Sequence, residues 1–131
     1  MSIKRGQVSY RNRASQIRDY SGIRYGDITP TDIDGFFEMS GRVFVFYELK
    51  TPDAPFLRGQ RLAFERLCDL VAPPKESIFI IAEHETPISE DIRAHEAIVL
   101  EFRYKRRWYP EIRRRTIKEL TDDFISYCNR Q

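Results

Sequence analysis

The stretch Val43-Phe-Val-Phe-Tyr-Glu-Leu-Lys50 is apolar on both faces until its last residues, and no other part of the chain constrains the fold as much. Successive side chains of a strand point to opposite faces, so a strand with one wet face reads as an alternation of apolar and polar residues. This one does not alternate. It is expected to lie centrally in a sheet covered on both sides, with Glu48 and Lys50 emerging where the strand leaves the core.

The flanking segments fill in the layers. Ile33 to Met39 and Arg42 to Lys50 read as a hairpin around Ser40-Gly41, where glycine admits the positive φ of a tight turn. Arg58 to Val71 carries Leu62, Leu67, Leu70 and Val71 at helical spacing and is stopped by Pro73-Pro74. Ser77 to Ala82 and Ala97 to Tyr104 are two further apolar strands, separated by a polar stretch containing Pro87. A last helix is predicted from Ile117 to Tyr127, with Ile117, Leu120, Phe124 and Tyr127 on one face and Thr116 as its N-cap. Upstream, Tyr10 to Tyr20 is compatible with a helix that Gly22 ends, and Pro30 delivers the chain into extended structure. The order predicts an α/β fold, helices flanking a mixed sheet, in a single domain over residues 1–131.

The balance of 41% hydrophobic and 32% charged residues is that of a globular chain. No run approaches the roughly 18 apolar residues of a membrane span, and the N-terminus lacks the apolar core of a signal peptide, so a cytoplasmic protein without membrane partners is expected. Cys68 and Cys128 lack any zinc or disulfide spacing and read as reduced, half-buried helix residues. Charge is segregated: residues 1–24 hold six Lys/Arg against Asp19, residues 25–102 seven against fifteen acids, and residues 103–131 nine against four. Basic flanks around an acidic centre suit a chain that meets a polyanion while its middle holds a cation.

The hairpin register decides whether the acids cooperate. With Ser40-Gly41-Arg42 as a three-residue loop, Met39 faces Val43, Phe36 faces Phe46, Asp34 faces Glu48 and Asp32 faces Lys50. Opposed Cβ atoms lie about 4.5–5.5 Å apart, close enough for two carboxylates to share one ion. Opposed like charges destabilise a sheet, which predicts a bound cation, and oxygen ligands favour Mg²⁺ or Mn²⁺. Lys50, about 7 Å beyond Glu48 on the same face, places an ammonium beside that ion.

Asp32-Ile-Asp34-Gly followed by Phe44-Val-Phe-Tyr-Glu48-Leu-Lys50 resembles the paired-strand signature of the PD-(D/E)XK nuclease superfamily, and Gly59-Gln60 resembles the helix-opening glutamine of its resolvase-like and phage-encoded branches. The likeness spans roughly residues 10–82. It implies a restriction-endonuclease-like core in which Asp34 and Glu48 bind Mg²⁺ or Mn²⁺ and the Leu49 carbonyl is a third ligand. It also implies that Lys50 positions the attacking water and that Gln60 steadies the site. Asp32 is the second choice for the motif aspartate. Many members add an acid in the first helix, and Asp19 is the only one here.

The resemblance therefore implies an endonuclease that hydrolyses DNA phosphodiester bonds, RNA remaining possible, with a homodimer as one route to cutting both strands. The alternative is an inactive nuclease-fold module that binds nucleic acid or protein. Between Arg103 and Arg115 lie seven Lys/Arg, and Lys105, Arg106, Arg107, Arg113 and Arg114 are the candidate phosphate contacts. Trp108 either stacks on an exposed base with Tyr109 or packs on the core. Phe36, Phe44 and Phe46 are expected in the core, Glu65 and Asp69 in solvent, and His84 and His95 at the surface.

Overall fold

The computed structural model describes residues 6–7, 16–54 and 57–130. The chain divides into two compact units, Met1–Pro30 and Thr31–Gln131. In the first, part of the expected Tyr10–Tyr20 helix, residues 10–15, lies outside the described residues, and residues 16–20 are not helical. Tyr25 and Ile28 exchange backbone hydrogen bonds of 2.9 and 3.1 Å around Gly26 at φ +65°, forming a single isolated bridge.

The second unit is an α/β layer on a five-stranded mixed sheet in sequence order: β1 (Gly35–Met39), β2 (Val43–Lys50), β3 (Glu76–Glu83), β4 (Ile98–Tyr104) and β5 (Arg107–Pro110). Helix α1 (Arg58–Val71) connects β2 to β3, which run parallel, and every other neighbouring pair is antiparallel. Helix α2 (Ile117–Asn129) follows β5. The turn between β1 and β2 places Ser40 at φ 56° and Gly41 at φ 65°, and the expected register follows, with Met39 opposite Val43 and Phe36 opposite Phe46.

Strand β2 is buried on both faces, as its composition requires. Val43 and Val45 pack with Ile78, Ile80, Val99 and the Ile117, Leu120 and Phe124 face of α2. Phe46 packs on the opposite side with Phe79, Ile81 and the Phe64 and Cys68 face of α1. Each large apolar side chain removed from water contributes about 1.5–3 kcal/mol, so these two layers fix where β2 ends and its polar tail begins. Thr116 caps α2 through a reciprocal box, accepting from the Glu119 N–H at 3.1 Å while Glu119 accepts from the Thr116 N–H at 3.0 Å.

Several expectations change. Strand β5 was hidden because Lys105 (φ 48°) and Arg106 (φ 67°) occupy the two turn positions that usually carry Asn-Gly in a hairpin of this kind. Phe36 is not in the core but 58% exposed, because β1 is a sheet edge; Phe44 is half-buried and Phe46 buried. Glu65 and Asp69 are not solvated: Asp69 accepts 2.7 and 3.2 Å hydrogen bonds from Arg103, and Glu65 accepts from Trp108 Nε1 at 2.7 Å. Cys68 and Cys128 are both free and fully buried. Among the described residues, no helix is long and apolar enough to cross a membrane.

Candidate active site

Alternation along β2 sends Val43, Val45, Tyr47 and Leu49 toward α2, and Phe46, Glu48 and Lys50 toward α1. The first turn of α1 reaches over that end of the strand. Gln60 Nε2 donates to Glu48 Oε2 at 2.9 Å, and Gln60 Oε1 accepts from Lys50 Nζ at 3.0 Å. Lys50 Nζ lies 3.1 Å from the same Glu48 oxygen, closing a triangle of carboxylate, carboxamide and ammonium. Asp34, the residue before β1, accepts from the Leu49 N–H at 2.7 Å through Oδ2 and so carries the hairpin contact one step past the strand ladder.

Glu48 is only 4% exposed, and its second oxygen, Oε1, has no hydrogen-bond partner. Burial and the neighbouring Asp34 carboxylate push its pKa up to about 7, against the opposing pull of Lys50. A buried carboxylate oxygen without a partner is costly, and a proton or a bound cation relieves both the desolvation penalty and the repulsion. The donors fit a hard divalent ion: oxygen atoms from Glu48 and Asp34, with water, backbone or substrate completing the shell. Among the described residues, no group of three or more His, Cys, Asp or Glu side chains is arranged to hold a metal.

The structure thus brings together Asp34, Glu48, Lys50 and Gln60. Leu49 joins them through its N–H, and Asp32 is exposed two residues earlier. Sequence reasoning missed Glu101. Glu48, Ile81 and Glu101 lie in one row across β2, β3 and β4, and Arg61, next to Gln60 on α1, pairs with Glu101. Two strand spacings put their Cα atoms about 10 Å apart. The lone acid in the apolar run Ile98-Val-Leu-Glu-Phe102 was the available signal.

The basic tract is not one patch. Because β4 runs antiparallel to β3, Arg103 pairs with Phe79 and the Lys105-Arg106 turn lies at the end of the sheet away from Glu48. From the Glu48 row the turn is about 13 Å along the strands and about 10 Å across them. The chain then returns: the Val99 N–H donates to the Arg115 carbonyl at 2.9 Å, beside the Lys50 and Glu83 ends of β2 and β3. Arg113 and Arg114 are exposed there, Arg114 at φ 57°. Glu111 organises this loop by accepting from the Arg113 and Arg115 N–H groups and from the Arg115 guanidinium at 2.6 Å. Burial pushes Glu111 up, but these hydrogen bonds prevail and hold it below the ordinary carboxylate range. Lys105, Arg106 and Arg107 are exposed around the far turn, whereas the half-buried Trp108 packs against the α1-side core with the Arg61 guanidinium 4.3 Å over its ring.

Comparison with known proteins gives no match to a family model, a curated protein or a solved structure.

Proposed function

We propose that this chain is a metal-dependent nuclease of the PD-(D/E)XK type, hydrolysing phosphodiester bonds of DNA with Mg²⁺ or Mn²⁺ held between Asp34 and Glu48. The observation that carries the reading is the buried Glu48 carboxylate with one unpartnered oxygen, at the end of a central strand, within 3.1 Å of the Lys50 ammonium. The path β1–β2–α1–β3, with an acid before the first strand and Glu-x-Lys closing the second, supports a restriction-endonuclease-like core.

A divalent ion at this pair supplies charge against the phosphoryl oxygens and Lewis acidity toward water. The protein's own groups do the rest. Glu48 presents oxygen donors from β2, and Asp34 from the residue that leads into β1. Lys50 lies where a cation orients the attacking water and offsets charge that grows in the transition state. Gln60 fixes both side chains and is a positioning residue. Arg113 and Arg114, at the same end of the sheet, supply donors to backbone phosphates.

The test is incubation of the full chain with linear, branched and single-stranded DNA and with RNA, in Mg²⁺, Mn²⁺ or EDTA. Cleavage that EDTA abolishes, and that Lys50→Ala lowers by orders of magnitude at nearly unchanged DNA affinity, is the expected result. Tight DNA binding without cleavage under every condition would instead identify a binding module.

A further inference from the structure

A cavity of about 410 Å³ opens on the other face of the hairpin and shares Asp34 with the catalytic cluster. Its floor is formed by Phe37, Tyr47 and Leu49, and its wall by Ile117, Thr121 and Ile125 of α2. The lining is therefore mostly apolar, with two aromatic rings. Gly35 separates Asp34 from those rings; a Cβ there would come within 3.2 Å of Tyr47 Cδ2. The bare glycine keeps the approach from Asp34 to the Tyr47 ring uncrowded.

Asp34, His95 and the Lys118–Asp122 ion pair also line the cavity, and a hydroxyl pair lies among the apolar side chains. The Tyr47 hydroxyl and Thr121 Oγ1 lie 3.0 Å apart and share a single hydrogen bond. That bond consumes one of their two hydroxyl hydrogens and leaves the other to donate to a ligand. A flat ligand with apolar faces and a hydrogen-bonding edge matches this lining, and a nucleobase is such a ligand.

Resting on the nuclease reading, we infer that this cavity receives the base of a nucleotide flanking the scissile phosphate. Asp34 neighbours Glu48 and also lines the cavity, so a phosphate held at the pair carries its nucleotide past the strand end at which the cavity begins. A paired and stacked base is not available to enter. Extrusion costs least where the nucleotide is mismatched, in a flap or single-stranded, so the preferred substrate is nucleic acid unpaired at the cut.

The experiment compares cleavage of single-stranded, flapped and fully paired DNA by wild-type full-length protein and by Ile125→Trp, which fills the cavity. Thr121→Val, which removes one hydroxyl at nearly constant volume, serves if the larger substitution fails to fold. Wild type should cut the unpaired substrates at least tenfold faster than the duplex. Either variant should lose most of that preference while binding Mn²⁺ as wild type does. In parallel, fluorescence of a single strand containing 2-aminopurine should change on binding wild type in Ca²⁺ and should not change with Ile125→Trp. Equal cutting of paired and unpaired DNA by wild type, or a folded variant that keeps the preference, overturns the inference. If wild type cuts nothing, the nuclease reading fails separately, and the fluorescence titration alone decides whether a base enters. Dimerisation abolished by Ile125→Trp, with no fluorescence change, would assign the cavity to a second copy of the chain and overturn the inference.

Discussion

Gln60 bridges Glu48 and Lys50 in one orientation only: its carboxamide nitrogen must face the carboxylate, which accepts, and its oxygen must face the ammonium, which donates. The bridge comes from α1 and the two bridged groups from β2, so docking of the helix on the sheet sets their spacing.

Removing the bridge should therefore damage the site more than the fold. Gln60→Ala is expected to lower cleavage about 10- to 100-fold, the usual cost of losing a group that orients a metal ligand. Its melting temperature should fall only slightly, because Gln60 is partly exposed and lies in the first turn of α1. Cleavage rates beside thermal melts check this, and a rate equal to wild type would remove Gln60 from the site.

The Glu48 carboxyl, raised to about 7 by burial and by Asp34, makes stability depend on pH in a definite direction. Between the ordinary glutamate range near 4.5 and about 7, the folded chain holds a proton at Glu48 that the unfolded chain has released. This contribution is thus fully present below about 4.5 and is lost as pH rises through about 7. It amounts to about 3 kcal/mol at metal-free Glu48. Thermal melts in EDTA should show wild type losing stability relative to Glu48→Gln across that window. Mn²⁺ above pH 7 should restore much of the loss in wild type and none in the mutant.

The hairpin register was legible because a turn of known length fixes every pair behind it, and Met39 opposite Val43 follows directly. The same reasoning stops at Gly35, where the ladder begins; Asp34 meets the end of β2 through a side-chain bond to the Leu49 N–H that no pairing rule encodes. The Glu48, Gln60 and Lys50 triangle was readable only as a set of residue types, since its closure depends on where α1 docks. Strand β5 was not legible, because two cationic residues at positive φ replace the usual turn residues. Asp69 and Arg103 are 34 residues apart, and their pairing, like that of Arg61 with Glu101, needs the packed helix and sheet.

The antiparallel run of β4 separates the basic tract into two groups, and each has its own expected signature. Arg113 and Arg114 lie at the Glu48 end of the sheet, in a loop whose Arg113 N–H and Arg115 guanidinium donate to the Glu111 carboxylate, while Arg106 and Arg107 flank the turn at the opposite end. A phosphate neutralised by either group releases counterions, steepening binding by about 0.9 log units of affinity per log unit of salt. Both Arg113→Ser with Arg114→Ser and Arg106→Ser with Arg107→Ser should therefore flatten the salt dependence wherever those arginines touch the backbone. On the proposed function, the near pair, at the Glu48 end, is the one expected to align the scissile phosphate. Its double mutant should lose cleavage under saturating DNA about tenfold, an alignment loss of about 1.4 kcal/mol. The far pair should weaken binding while the saturated rate stays within about twofold. Binding isotherms across a salt series, paired with single-turnover cleavage, separate the two. Identical behaviour of the double mutants in both assays would mean that the two ends of the sheet do not play different parts in holding the substrate.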